Sequence, residues 1–189
     1  MKKIAIFGSG SGSNAENIYN YFSESTDIRV VLICTNKSSA FIVTRAERLK
    51  IPVIYTSRAD LNNYVKILEI MKNYDVDYII LSGFLLKIPK KIISSYPNKI
   101  INIHPSLLPK YGGVGMYGKN VHKAVLENHE TKSGITIHFV NANYDEGEII
   151  LQKSCSVSNN ETLESLEKKI RQLELAYFPK TIEHIILEH

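Results

Sequence analysis

Residues 3–14 of the chain are Lys-Ile-Ala-Ile-Phe-Gly-Ser-Gly-Ser-Gly-Ser-Asn. The apolar run 4–7 is continuous rather than alternating, which is typical of a strand covered on both faces of a parallel sheet. The three glycines that follow allow a tight turn, and Ser13 and Asn14 are residue types that favour the start of a helix. A strand that passes directly into a helix in this way predicts the first unit of an α/β fold.

The same alternation continues along the first part of the chain. Apolar, β-branched runs predict five strands, at residues 3–7, 29–34, 52–54, 77–81 and 100–103. The helices predicted between them cover residues 13–23, 40–50, 60–74 and 89–95. This order predicts a doubly wound, mostly parallel sheet with helices on both faces.

The pattern changes after the fifth predicted strand. Residues 104–117 contain two prolines and three glycines and predict a long loop. Structureless loops of about 12 residues or more in compact domains are usually functional or disordered. A helix at about 119–128 and strands at 133–140 and 148–157 follow, and an antiparallel strand is expected at this end of the sheet.

A long helix is predicted at the carboxyl end of the chain. Ser158 and Glu161 match a capping box, which indicates where the helix begins. Pro179 should end or kink it, because proline lacks the backbone N–H of a helix interior. A length of 189 residues fits one domain over residues 1–189.

Composition excludes several classes of protein. Hydrophobic residues make up 44% of the chain, the net charge is +4, and the basic residues are scattered, so neither a membrane segment nor a nucleic-acid surface is predicted. Cys34 and Cys155 are too few for a disulfide framework, which favours a reducing, cytoplasmic location. The histidines between residues 104 and 138 lack the spacing of a zinc site, and no metal is expected.

The glycine loop has more than one interpretation. Residues 10–15 fit the G-x-G-x-x-A pattern of a dinucleotide site, but the end of the second strand, 34–37, has no acidic residue for the ribose hydroxyls. The alternative is a phosphate monoester held by Gly12, Ser13 and Asn14 at the amino terminus of the helix. A turn without a ligand is the third possibility.

Asn102 and His104 are candidates for catalysis. They are two residues apart, so in an extended strand both side chains point to the same side. They also lie at the carboxyl end of a predicted strand, where open parallel sheets bind ligands. Asp145 stands in the turn-rich segment 141–147, where turn chemistry alone accounts for it. Spacing by itself does not bring Asp145 to His104.

Three segments of the chain resemble known motifs. Residues 102–109, Asn-Ile-His-Pro-Ser-Leu-Leu-Pro, resemble the signature of the folate-dependent formyltransferases. Residues 82–88 are similar to the segment that lines the folate pocket of that family. Residues 134–140 with 144–147 resemble its second signature, whose aspartate is catalytic. The resemblance covers nearly the whole chain and implies that 10-formyltetrahydrofolate is the co-substrate that donates a formyl group to an amine.

The resemblance also implies roles for individual residues. The catalytic residues would be Asn102, His104 and Asp145. The substrate would be bound by Gly12, Ser13, Asn14, Arg171 and Glu174. The folate would be bound by Arg58, Leu85, Leu86, Lys87, Ile88, Asn102, Val140 and Asn141. Residues 1–100 would then form a phosphate-binding α/β half, and residues 101–189 a catalytic and folate-binding half.

Within that family, the Gly-Ser-Asn loop and the length of the chain favour glycinamide ribonucleotide as the acceptor, a reaction of purine biosynthesis and one-carbon metabolism. The alternatives are another phosphorylated or sugar amine, or a non-catalytic nucleotide- or phosphate-binding domain. The loop at 111–118 resembles a longer version found in part of the family. Small-molecule substrates are the expected partners, with no nucleic acid or membrane, in a monomer or homodimer.

Overall fold

Seven strands form one mixed sheet in the computed structural model, which describes residues 1–188. The strands are β1 (Lys2–Phe7), β2 (Ile28–Thr35), β3 (Val53–Tyr55), β4 (Tyr78–Leu81), β5 (Ile100–His104), β6 (Lys132–Phe139) and β7 (Ile149–Ser156). Their order across the sheet is β3-β2-β1-β4-β5-β6-β7. Strands β1 to β5 are parallel, and β6 is antiparallel to both β5 and β7. The predicted sheet with an antiparallel strand at its carboxy-terminal end is confirmed.

Helices cover both faces of this sheet. They are α1 (Ser13–Phe22), α2 (Phe41–Arg48), α3 (Arg58–Asn62), α4 (Tyr64–Asn73), α5 (Lys90–Ser95), α6 (Lys119–Glu127) and α7 (Leu163–Glu188). One apolar core contains residues of α1, α2, α6 and α7 together with Ile4 and Ile6 of β1. The other contains residues of α3, α4 and α5 together with Ala5 and Phe7. Alternate residues of β1 therefore enter opposite cores, which is why the strand is apolar throughout.

The helix predicted over residues 60–74 is two helices. The first, α3, begins earlier because Ser57 and Asp60 form a capping box at its start. Asn63 then leaves the helical conformation, with φ −84° and ψ 69°, and α4 begins at the next residue. The prediction of one continuous helix was wrong, because the break depends on a single polar residue, Asn63, inside an otherwise amphipathic pattern.

The predicted start of the last helix was also wrong. The backbone N–H and the hydroxyl of Ser158 both donate to the Glu161 carboxylate, so these two residues close a turn before the helix. Helix α7 begins at Leu163, where the Thr162 hydroxyl accepts a hydrogen bond from the Ser165 backbone N–H at 3.1 Å. Thr162 therefore caps the helix, a role that threonine performs nearly as well as serine.

Helix α7 continues past Pro179 to Glu188 instead of ending there. Proline has no N–H to donate to the carbonyl four residues earlier, which is that of Leu175. The side-chain amide of Asn17 in α1 donates to this carbonyl at 2.9 Å. The acceptor that Pro179 leaves free is thus paired by a neighbouring helix, and the pairing ties α1 to α7.

Both cysteines are free thiols, with Cys34 buried and Cys155 half-buried. Burial raises the pKa of the Cys34 thiol to about 12, so this group stays protonated. No helix in the described part of the chain is long and apolar enough to span a lipid bilayer.

Candidate active site

A cavity of about 860 Å³ lies at the carboxyl ends of the parallel strands. Its walls come from the glycine loop after β1, the segments after β4 and β5, the loop at 113–118 and one face of α7. The predicted site residues that line it are Gly12, Ser13, Asn14, Arg58, Leu85, Asn102, His104, Asp145, Arg171 and Glu174. Five predicted folate contacts are outside this lining: Leu86, Lys87, Ile88, Val140 and Asn141.

The ring of His104 is engaged at both nitrogens. Its Nε2 is 2.7 Å from the carbonyl oxygen of Tyr111. A carbonyl only accepts, so Nε2 carries a proton. Its Nδ1 lies 3.5 Å from Oδ2 of Asp145, and the ring is 5% exposed. The structure thus brings together the imidazole and the distant carboxylate, which spacing alone did not connect.

Asp145 is held in place by its own loop and by the loop at 113–118. Its φ of +56° is in the left-handed region, which aspartate tolerates better than most residues. The backbone N–H of Gly113 donates to Oδ2 at 2.8 Å. The carboxylate that faces His104 is therefore fixed by a second segment, and its position depends on the conformation of that segment.

Asn102 contacts a histidine that sequence reasoning left without a role. In the antiparallel pairing of β5 and β6, Asn102 lies opposite His138. The amide Nδ2 of Asn102 is 3.0 Å from Nε2 of His138, and Nδ1 of that ring is 2.8 Å from the Phe139 carbonyl oxygen. Oδ1 of Asp145 lies 3.8 Å from the same Nε2. Only the register between β5 and β6 reveals this neighbour, and the sequence does not specify that register.

Thr136, also on β6, fixes the start of the segment after β5. Its hydroxyl donates to the Ser106 carbonyl at 2.7 Å and accepts from the Leu108 backbone N–H at 3.0 Å. The Gln152 side chain donates to the same hydroxyl and to the Leu108 carbonyl. This buried network accounts for polar residues on β6 and β7 that sequence reasoning did not use, and it holds the chain immediately beyond His104.

The glycine loop approaches α2 closely. Gly12 has φ +74°, and a Cβ there would lie 2.8 Å from the Cα of Ile42, so a side chain does not fit. The first turn of α1 leaves backbone N–H groups without intrahelical acceptors, and its dipole favours an anion. The predicted phosphate-binding residues thus lie where their backbone N–H groups are free to bind an oxyanion.

A hydrogen bond links helix α7 to the start of α1, where the glycine loop ends. The amide of Asn14 donates to Oε2 of Glu174 at 2.9 Å. Burial raises the pKa of Glu174, while the bond from Asn14 and the nearby Arg171 act in the opposite direction. Oδ1 of Asn14 is buried and has no partner within residues 1–188. The predicted substrate residues of α1 and α7 therefore form one continuous wall.

Ser9 joins the glycine loop to the predicted folate segment. Its hydroxyl donates to Oδ1 of Asn36 at 2.5 Å and accepts from the Leu85 backbone N–H at 3.0 Å. Farther along that segment, the Lys87 ammonium lies 5.1 Å from the centre of the Tyr144 ring. The segment is thereby attached at one end to the glycine loop and at the other to the loop that carries Asp145.

The fold agrees with comparisons to known proteins. A family model described as formyl transferase matches residues 2–182. The chain belongs to the formyl transferase family. This family member is 41% identical over 175 residues to a chloroplastic phosphoribosylglycinamide formyltransferase of Arabidopsis thaliana, an alignment that covers 89% of the chain and 60% of that relative.

Bacterial members of the family match over more of their own length. The phosphoribosylglycinamide formyltransferase of Bacillus subtilis is 34% identical, with 98% of this chain and 95% of that protein covered. The crystal structure of phosphoribosylglycinamide formyltransferase from Anaplasma phagocytophilum superposes with a TM-score of 0.89 at 30% identity, over 99% of this chain and 88% of that one. The chain thus spans about three fifths of the plant relative and most of the bacterial ones.

Proposed function

We propose that this family member transfers the formyl group of 10-formyltetrahydrofolate to the amine of glycinamide ribonucleotide. The products are formylglycinamide ribonucleotide and tetrahydrofolate. The observation that carries the proposal is the Asp145 carboxylate, 3.5 Å from the His104 ring in the cavity that Asn102 and the glycine loop also line. The names of the bacterial relatives support this choice of substrate.

Asn102 and His104 supply what the transfer needs. The amine attacks the formyl carbon, a C–N bond forms, and the formyl oxygen becomes an oxyanion. Nδ2 of Asn102 has a second N–H that is free to donate to this oxyanion, and loss of one such donor typically lowers the rate by about 10²–10³. The oxyanion then re-forms the C=O bond as the C–N bond to the folate breaks. The attacking nitrogen gives up a proton to become the neutral formamide, and the folate nitrogen leaves with a proton.

His104 is the proposed source of that proton. In the structure the Nε2–H of His104 is bound to the Tyr111 carbonyl. Delivery from Nε2 therefore requires this hydrogen bond to be exchanged for one to the substrate, through movement of the segment around Tyr111. Asp145 faces the other nitrogen at 3.5 Å, so a negative charge lies beside the ring from which the proton is transferred.

The remaining predicted contacts divide between the two substrates. We assign the phosphate to Gly12, Ser13 and Asn14, and other polar groups of the substrate to Arg171 and Glu174. We assign folate binding to Arg58, to the backbone at 85–88 and to the segment that contains Val140 and Asn141. Under this assignment, the phosphate contacts lie in residues 1–100, the catalytic residues lie in residues 101–189, and both halves contribute to the folate site. We also propose that the protein acts in the cytoplasm as a monomer or homodimer.

Activity measured with three acceptors tests the proposal. The protein is incubated with 10-formyltetrahydrofolate and glycinamide ribonucleotide, its unphosphorylated riboside, or a sugar amine, and the formylated product is quantified. We expect transfer to the ribonucleotide, a much higher KM for the riboside, and no transfer to the sugar amine. Absence of transfer to the ribonucleotide would contradict the proposal.

Asp145→Asn is the matched variant for this assay. Asparagine keeps an oxygen that accepts the Gly113 N–H, so the loop should hold, but the negative charge beside His104 is lost. Loss of assistance to proton transfer is expected to lower kcat by about 10²–10⁴. Normal turnover in this variant would show that the catalytic residues are assigned wrongly.

A further inference from the structure

His138 is buried beside the proposed catalytic residues but is not one of them. The side chain is 2% exposed, and both ring nitrogens have neighbours. Nδ1 lies against the Phe139 carbonyl and Nε2 against the amide of Asn102. The backbone of Gly147 also lies close to the ring, since a Cβ added at Gly147 would be 3.3 Å from Nδ1 of His138. The ring therefore has little room to turn.

These contacts select one tautomer of the ring. The Phe139 carbonyl only accepts, so Nδ1 carries a proton. In the neutral ring, Nε2 is then a bare acceptor and requires a donor opposite it. The amide nitrogen Nδ2 of Asn102 supplies that donor at 3.0 Å. If the amide were turned over, its oxygen would face the lone pair of Nε2, and no hydrogen bond would form. The ring of His138 thus decides which end of the Asn102 amide points toward it.

We propose that His138 is a positioning residue for formyl transfer, which acts by fixing the orientation of the Asn102 amide. One N–H of Nδ2 is held by Nε2 of His138, and this fixes the direction of the second N–H, which is the proposed donor to the oxyanion. The inference rests on the proposed function, because that function gives Asn102 its role. Donors that are oriented before the reaction stabilise developing charge without reorganisation.

The surroundings of His138 maintain the neutral ring. Burial lowers the pKa of His138, and the charged form of His104 acts in the same direction. The Phe139 carbonyl and the Asp145 carboxylate act in the opposite direction, with less effect than burial. Protonation at Nε2 would turn the acceptor into a donor and force the amide of Asn102 to rotate. The orientation of the Asn102 amide is therefore lost only at a pH below the range in which histidine side chains ordinarily titrate.

Two substitutions separate positioning from simple packing. His138→Phe keeps a ring of similar shape but removes the acceptor, whereas His138→Gln keeps an acceptor near the position of Nε2. His184→Gln, at an exposed site on α7, serves as the control. We expect His138→Phe to lower kcat at least about tenfold with KM for both substrates nearly unchanged, and His138→Gln to recover most of kcat. Wild-type kcat in His138→Phe, or equal losses in the two variants, would overturn the proposal.

A second measurement uses the unmodified protein and does not depend on how the variants fold. The ¹⁵N NMR signals of the His138 ring distinguish a protonated nitrogen from a bare one. We expect a protonated Nδ1 and a bare Nε2 at neutral pH, and a proton on Nε2 would refute the orientation. If the wild-type protein transfers no formyl group, the proposed function fails, while the NMR result still decides how His138 orients Asn102.

Discussion

Gly147 is the residue whose replacement should reveal how tightly the loop that carries Asp145 is bound to the sheet. A Cβ added there would lie 1.6 Å from the Phe139 carbonyl oxygen and 2.7 Å from the Phe139 carbonyl carbon. Ordinary contact begins at 3.4 Å, so the two backbones must separate by about 1.8 Å in Gly147→Ala. The two severe contacts are with backbone atoms of Phe139, so no side-chain rotation relieves them.

The structure gives the size of the effect. Phe139 is held from two sides, since its N–H donates to the Glu148 carbonyl at 2.9 Å and its carbonyl accepts from His138. A displacement of this size breaks both hydrogen bonds, at about 0.5–1.5 kcal/mol each. The strain of overpacking adds about 1–3 kcal/mol. We therefore expect Gly147→Ala to lower the free energy of unfolding by about 2–6 kcal/mol.

Urea unfolding followed by circular dichroism measures this loss. Gly10→Ala is the matched control, because a Cβ at Gly10 meets nothing within 4 Å, and its effect should stay within about 0.5 kcal/mol. The reasoning is refuted if the two alanine variants unfold at the same urea concentration with the same slope. In the folded fraction of Gly147→Ala, kcat should also fall, because displacement of Phe139 frees the ring of His138.

Three further predictions concern the substrate, the helices and pH. Ser13→Ala should raise KM for glycinamide ribonucleotide more than KM for the folate in steady-state kinetics, and equal effects would count against the phosphate assignment. Asn17→Ala should lower the free energy of unfolding by about 1–3 kcal/mol, because the Leu175 carbonyl loses its partner. Burial lowers the pKa of His122 and His138, so the unfolded chain binds more protons below about pH 6.5 and stability should fall on acidification. His138→Gln should show a smaller fall in urea midpoint between about pH 7.5 and about pH 5.5.

Much of the fold was predictable because its signals are local. A strand buried on both faces must be apolar at every position, and β1 with residues Ile4 to Phe7 meets that requirement. A helix that follows such a strand within a few residues leaves few topologies open. The order of strands and helices in the first part of the chain therefore follows from short segments considered one at a time.

The site was predictable only in part because its geometry is not local. Asn102 and His104 are neighbours on one strand, and their shared direction follows from strand geometry. His138 and Thr136 reach the same place only through the antiparallel register of β6, and a slip of one residue would turn both to the other face. Resemblance to a family supplied Asp145, but its contact with Gly113 required the structure.

The last helix shows why a local rule fails when tertiary contacts are strong. A proline inside a helix costs about 3 kcal/mol, which predicts that α7 ends or kinks near Pro179. Beyond that residue, three apolar side chains of α7 are buried in the core, Ile182, Ile185 and Ile186. Burial of each contributes about 1.5–3 kcal/mol, or about 4.5–9 kcal/mol together. This gain exceeds the cost of the proline, and the amide of Asn17 reduces that cost further by pairing the carbonyl left free. The helix continues because its distal end is needed to cover the sheet, a fact that no window of sequence around Pro179 contains.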